Sequence, residues 1–132
     1  MNEVDKVADN LWFGGQPTDI RPYKFVIAVN HCPRYHIDEG TLVIVAPLQD
    51  GAKMPNVGML NRLADMVNEF TSLGPTLVHC TAGLNRSGLV VALALIKRGI
   101  APQEAIDTLQ RVRGHDVLNN EVFVEWLLLP DE

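Results

Sequence analysis

The chain has 132 residues, 47% of them hydrophobic and 20% charged, a formal net charge of −5, and two cysteines. A length of this order builds one core that buries roughly two-thirds of the unfolded surface, so a single domain over residues 1–132 is expected, and a second does not fit. Met1-Asn2-Glu3-Val4-Asp5-Lys6 lacks the basic start and apolar stretch of a secretion signal, and no apolar run is long enough to cross a bilayer, so a cytoplasmic address without a membrane partner is expected.

In chain order, strand-like segments fall near 11–14, 25–29 and 41–46, and the first helical one near 56–72. In that helix Val57, Leu60, Ala64, Val67 and Phe70 recur at three- and four-residue steps and form one inward stripe, which Gly74-Pro75 ends. A short apolar run, Thr76-Leu77-Val78-His79, reads as a buried strand. After a nine-residue stretch come Leu89 to Ile96, apolar on most sides, hence a central buried helix near 86–98 closed by Lys97-Arg98-Gly99. Pro102 opens a helix near 102–112 with Ala105, Ile106, Leu109 and Val112 inward, and Asn119 or Asn120 caps a last one that ends near 128, docked by Val122, Phe123, Trp126 and Leu127. Strands alternating with helices read as α/β.

The informative stretch is His79-Cys80-Thr81-Ala82-Gly83-Leu84-Asn85-Arg86-Ser87-Gly88, a loop between a strand and the start of a helix. The first N–H groups of a helix lack intrahelical partners, and its dipole puts partial positive charge there, so an anion is expected. The backbone of Thr81, Ala82, Gly83, Leu84, Asn85 and Arg86 is long enough to curl around a tetrahedral dianion. Gly83 supplies backbone angles closed to other residues, and Gly88 leaves room for the helix to pack on the strand layer. Arg86 offers a planar fork for two phosphate oxygens. Cysteines at helix N-termini beside a cation titrate at roughly 3.5–7.5, which makes Cys80 a candidate nucleophile. Ser87 is placed to donate to its sulfur, and His79 to buttress the loop from behind.

His-Cys-x-x-Gly-x-x-Arg-Ser resembles the signature of the cysteine-dependent protein tyrosine phosphatase superfamily, in its compact dual-specificity branch. Asn10 to Gly15 is similar to that family's opening strand and turn, Phe25 to Asn30 to its next strand, Pro47-Leu48-Gln49-Asp50-Gly51 to its general-acid loop, and Arg113 to Leu128 to its closing segment. The resemblance implies a small central mixed sheet of four to five strands flanked by helices, and hydrolysis of phosphorylated protein side chains through a cysteinyl-phosphate intermediate. It also implies roles for Cys80, Arg86, Asp50, Ser87 and His79, and no cofactor or metal. Asp50 ends an apolar strand in a turn-rich loop thirty residues before Cys80, so a turn-capping aspartate is its plain alternative; Asp38, Glu39 and Asp116 stand in reserve as the acid.

Two other readings stay open. Asn85 before Arg86 resembles the Asn-Arg pair of RNA 5′-triphosphatases, which share this loop; Ala82 departs from their usual histidine, and the net charge of −5 argues against a nucleic-acid partner, although Arg21, Lys24, Arg34 and Lys53 supply local cations. A phosphatase-like loop can also serve as a non-catalytic phosphate reader. Cys32 is read as a structural cysteine before a resolving partner for Cys80, and His31, Cys32 and His36 lack a convincing fourth ligand for a metal. One copy acting alone is expected.

Overall fold

The computed structural model describes residues 2–130, so the ends of the expected domain, Met1, Asp131 and Glu132, lie outside it. The elements follow in the order β1 (Val4–Ala8), β2 (Leu11–Gly14), β3 (Phe25–Ala28), β4 (Leu42–Val45), α1 (Val57–Thr71), β5 (Thr76–His79), α2 (Arg86–Lys97), α3 (Pro102–Arg113) and α4 (Glu121–Leu127). The five strands form one mixed sheet in the order β1-β2-β5-β3-β4. Strands β2, β5, β3 and β4 run parallel, and β1 is antiparallel to β2. Strands β3 and β5 are buried on both faces, which is why they read as continuous apolar runs rather than alternating ones.

Strand β1 is the element absent from the sequence expectation. Its Asp5 and Lys6 interrupt the apolar pattern, yet it forms a hairpin with β2 through Asp9-Asn10, where Asn10 takes φ 59°. Asparagine tolerates that left-handed region, so the turn dipeptide was the available signal.

All four helices contribute to a single large core on one face of the sheet, against Leu11, Phe13, Phe25, Ile27 and Val78. The opposite face is covered by a loop cluster of Ile20 and Tyr23 over Val26 and Leu77, so the helices that flank the sheet gather on one face. Helix α2 is the central one, buried without a break from Ser87 to Leu95. On α1 the inward stripe is Leu60, Leu63, Ala64, Val67 and Phe70; Leu63 belongs to it and Val57, 39% exposed in the undocked first turn, does not. On α3, Arg113 is buried alongside Ala105, Ile106 and Leu109, while Val112 is only partly covered. Asn120 caps α4 by accepting from the N–H groups of Val122 and Phe123, an arrangement that contributes about 1 kcal/mol. Phe123 and Leu127 are the buried anchors of α4, with Trp126 half-buried against the same core.

Candidate active site

In an open parallel sheet, ligands bind beyond the carboxyl ends of the strands where the strand order reverses. Here β5 lies between β2 and β3, and Gly14 and Ala28 both pair with His79 while Ala28 pairs with Val45, so the four ends are level. Residues 14–16, 29–30, 47–50 and 80 therefore leave the sheet on one rim.

The loop after β5 is fixed through its carbonyls. Cys80 O accepts from His79 Nδ1 at 3.2 Å, Thr81 O from Gln16 N at 3.0 Å, and Ala82 O and Gly83 O from Arg113 Nη2 and Nε at 3.3 and 2.8 Å. Leu84 O accepts from Leu118 N, and Asn85 O from Leu89 N, both at 2.8 Å. Every carbonyl from Cys80 to Asn85 is thus tied to the scaffold. The N–H groups of Thr81, Ala82, Leu84, Asn85 and Arg86 find no acceptor among the described residues, which leaves them as donors for an anion at the start of α2. Gly83 makes this turn possible at φ 75°, where a Cβ would also lie 2.3 Å from Gly15 N. Gly15 is constrained by space alone, since its own Cβ would meet Thr81 O at 2.7 Å. Gly88 admits Leu118 and Val117, at 3.3 and 3.5 Å from where a Cβ would stand; it packs α2 on the closing segment, and not on the strand layer as expected.

Cys80 lies on the floor of the loop, 2% exposed, with Gly83 N donating to Sγ at 3.2 Å. Ser87 Oγ is 3.4 Å from Sγ and 3.1 Å from the Gly14 carbonyl oxygen, so its one hydrogen serves two acceptors when the sulfur is anionic. His79 is fully buried. Because a carbonyl can only accept, Nδ1 carries the proton toward Cys80 O, and Nε2 accepts from the Tyr35 hydroxyl at 2.8 Å. Burial pushes the His79 imidazole below its ordinary value, against an opposing pull from the Cys80 carbonyl, and burial pushes the Tyr35 phenol up to about 12. The neutral pair is the favoured state.

Arg86 Nη1 donates to Leu48 O at 3.3 Å, which joins the loop to the segment that carries Asp50. The exposed Asp50 carboxylate accepts from Asn85 Nδ2 at 3.1 Å and from Asn120 Nδ2 at 2.8 Å. Leu118, two residues before Asn120, holds φ 58°, a strained angle for a bulky side chain. Of the reserve acids, Asp38 pairs with His36 at the surface, and Glu39 and Asp116 are exposed, without a bond to the loop. Cys32 is exposed and free, and among the described residues no three His, Cys, Asp or Glu side chains converge as a metal site. Arg21 is held by Asp19, and Lys24 lies over the Phe25 ring.

Three contributors escaped the sequence reading. Arg113 spans from the loop carbonyls to Asp5 Oδ2 and Asn2 O, at 2.9 and 2.8 Å, with its side chain 2% exposed. Asn120 was visible only as a cap, and Tyr35 carried no signal. For Arg113 the available clue was a cation on the buried stripe of an amphipathic helix, four residues past Leu109.

The dual specificity phosphatase catalytic domain family matches residues 15–131. A tyrosine-protein phosphatase of Autographa californica nuclear polyhedrosis virus is 40% identical over 83 residues, 60% of this chain and 49% of its own length. The RNA/RNP complex-1-interacting phosphatase of Rattus norvegicus is 31% identical over 99 residues, 68% of this chain and 30% of its own. The chain thus spans about half or less of the length of these curated relatives. Among solved structures, Tk-PTP in its active form superposes with a TM-score of 0.79 at 22% identity, over 96% of this chain and 95% of that one. Human tyrosine phosphatase-like serine/threonine/tyrosine-interacting protein does so with a TM-score of 0.82 at 16% identity, over 94% and 92%. Both share the fold. With a match that takes in β3 to α4 and the whole loop after β5, the chain belongs to the dual specificity phosphatase catalytic domain family.

Proposed function

We propose that this chain is a cysteine-dependent protein phosphatase that hydrolyses phosphotyrosine and, through a shallow rim, phosphoserine and phosphothreonine. The observation that carries the reading is the loop from Cys80 to Arg86, whose carbonyls from Cys80 to Asn85 are engaged behind it while the N–H groups of Thr81, Ala82, Leu84, Asn85 and Arg86 remain for a dianion above the sulfur. Cys80 thiolate attacks phosphorus and the ester P–O bond breaks. The leaving oxygen takes a proton from Asp50. Arg86 and the free N–H groups neutralise charge on the three remaining oxygens, a preorganised arrangement that needs no reorganisation as the reaction proceeds. Water then attacks the thiophosphate, Asp50 takes its proton, and phosphate leaves with restoration of the thiolate, whose departure the Ser87 hydroxyl assists. His79 holds the loop through Cys80 O.

Beside Asp50 a cavity of ≈ 670 Å³, lined by Pro47, Leu48, Lys53, Met54 and Met59 among others, offers apolar floor and one cation to the chain that bears the phosphate. The thiol nucleophile suits the reducing cytoplasm. Among the described residues no helix is long and apolar enough to cross a membrane.

The test is turnover of aryl phosphate, phosphopeptides and triphosphate-ended RNA by the purified protein in chelator. Phosphopeptide hydrolysis that vanishes in Cys80→Ser is the expected result. Binding of vanadate without turnover would make the domain a phosphate reader, and faster release from RNA than from phosphopeptides would move the substrate to RNA 5′ ends.

A further inference from the structure

We propose that Asn85 and Asn120 are positioning residues for proton transfer by Asp50, an inference that rests on the acid role proposed above. Gln49, Asp50, Gly51, Ala52 and Lys53 are all exposed, so packing does not decide where the carboxylate points. Two amides do. Asn85 Nδ2 donates to Oδ2 at 3.1 Å and Asn120 Nδ2 to Oδ1 at 2.8 Å, one donor on each oxygen, which fixes the plane of the carboxyl group and leaves a free position on either oxygen for the proton that passes to the leaving group. Asn120 Nδ2 also donates to Gly51 O at 2.9 Å and so holds the backbone that follows.

The two asparagines are themselves braced. Asn85 is 8% exposed; its Oδ1 accepts from Asn120 N at 2.9 Å, and its Nδ2 donates to Asn119 Oδ1 at 2.7 Å. The strained Leu118 backbone turns the chain so that its own N–H meets Leu84 O while that of Asn120 meets Asn85, consecutive residues of the anion loop. Strain of this kind persists where the surroundings over-determine it. Capping of α4 uses only Asn120 Oδ1, a task that serine or aspartate performs equally well. The amide nitrogen is the part that capping does not require, and it is the part that meets Asp50.

This separates the two roles experimentally. Asn120→Ser and Asn120→Asp retain a cap but lose the donor, and thermal midpoints report whether α4 is intact. Against a series of phosphate esters with leaving groups of rising basicity, both variants are expected to lower kcat about tenfold to a hundredfold for alkyl esters, since misplacement of about 1 Å costs roughly 10²-fold. Activated aryl esters, which need little protonation, should stay within about twofold, and KM should hold. In an Asp50→Asn background the Asn120→Ser change should cost nothing further. An equal loss across all esters, or an undiminished loss in that background, would make Asn120 merely structural and overturn the proposal. If Asp50→Asn itself showed no leaving-group dependence, the acid assignment would fall, and this inference with it; a clear Asp50→Asn signature with Asn120→Ser at wild-type rates sinks the inference alone.

Discussion

The anion loop at Cys80–Arg86 and the loop that carries Asp50 face the same rim but are built in opposite ways. The first has six consecutive carbonyls bonded to partners from Gln16, α2, α3, His79 and Leu118. The second has one buried anchor, Leu48, whose N–H meets Val29 O at 3.0 Å, and beyond it relies on asparagine side chains. Charge stabilisation works best from groups that never move, whereas a proton donor must meet leaving groups of different shapes. Changes behind the first loop should therefore cost the fold, and changes in the second only the rate.

The largest effect is expected from Arg113→Ala. It strips Ala82 O, Gly83 O, Asn2 O and Asp5 of a buried cation, and breaking such a pair costs about 3–5 kcal/mol. Denaturant unfolding measures this, and a loss below about 1 kcal/mol would show that the clamp is dispensable. Asp50→Asn should instead unfold with the wild-type midpoint while kcat on phosphopeptides falls roughly 10²–10⁴-fold. Unchanged kcat would erase the contrast between the loops.

A third way to sharpen the comparison is pH. Since burial holds folded His79 below its ordinary 6.5, the unfolded chain takes up a proton near that pH that the folded one refuses. The stabilisation is therefore complete above about pH 6.5 and declines as pH falls through 6.5 toward the folded value. Unfolding free energies from pH 7.5 down to 5 should show this slope, and His79→Gln, which cannot titrate, should flatten it. The smallest effect belongs to Tyr35→Phe. Loss of its bond to His79 costs about 0.5–1.5 kcal/mol near neutrality. Because the folded phenol titrates at about 12 and the unfolded one near 10, wild type also loses stability as pH rises across that window, and the variant should not.

The same contrast governs what could be read from the chain. Cys80 to Ser87 is contiguous, so strand, turn, helix start and chemistry appeared together, as did the apolar stripes of α1 and α3 apart from Val57, Leu63 and the partly covered Val112. What eluded the reading was assembled across distance. Arg113 meets Asp5 from 108 positions away, and Asn120 meets Asp50 from 70. Neither separation leaves a periodic trace. Leu118 at positive φ contradicts the glycine and asparagine preference on which turn recognition depends. Tyr35 lies in a loop without pattern, where only the fold brings it to His79.

One outcome of the Arg113–Asp5 bridge reaches the opposite end of the polypeptide. The family match begins at residue 15, after β1 and β2, so a version shortened to that span would discard Asp5 and the antiparallel edge strand. Arg113 would keep its bonds to Ala82 O and Gly83 O but lose its carboxylate partner Asp5 and the Asn2 carbonyl, and its hold on the loop beneath the sulfur would slacken. Anyone preparing this protein should therefore retain residues 2–14, which carry β1, β2 and the partners of Arg113.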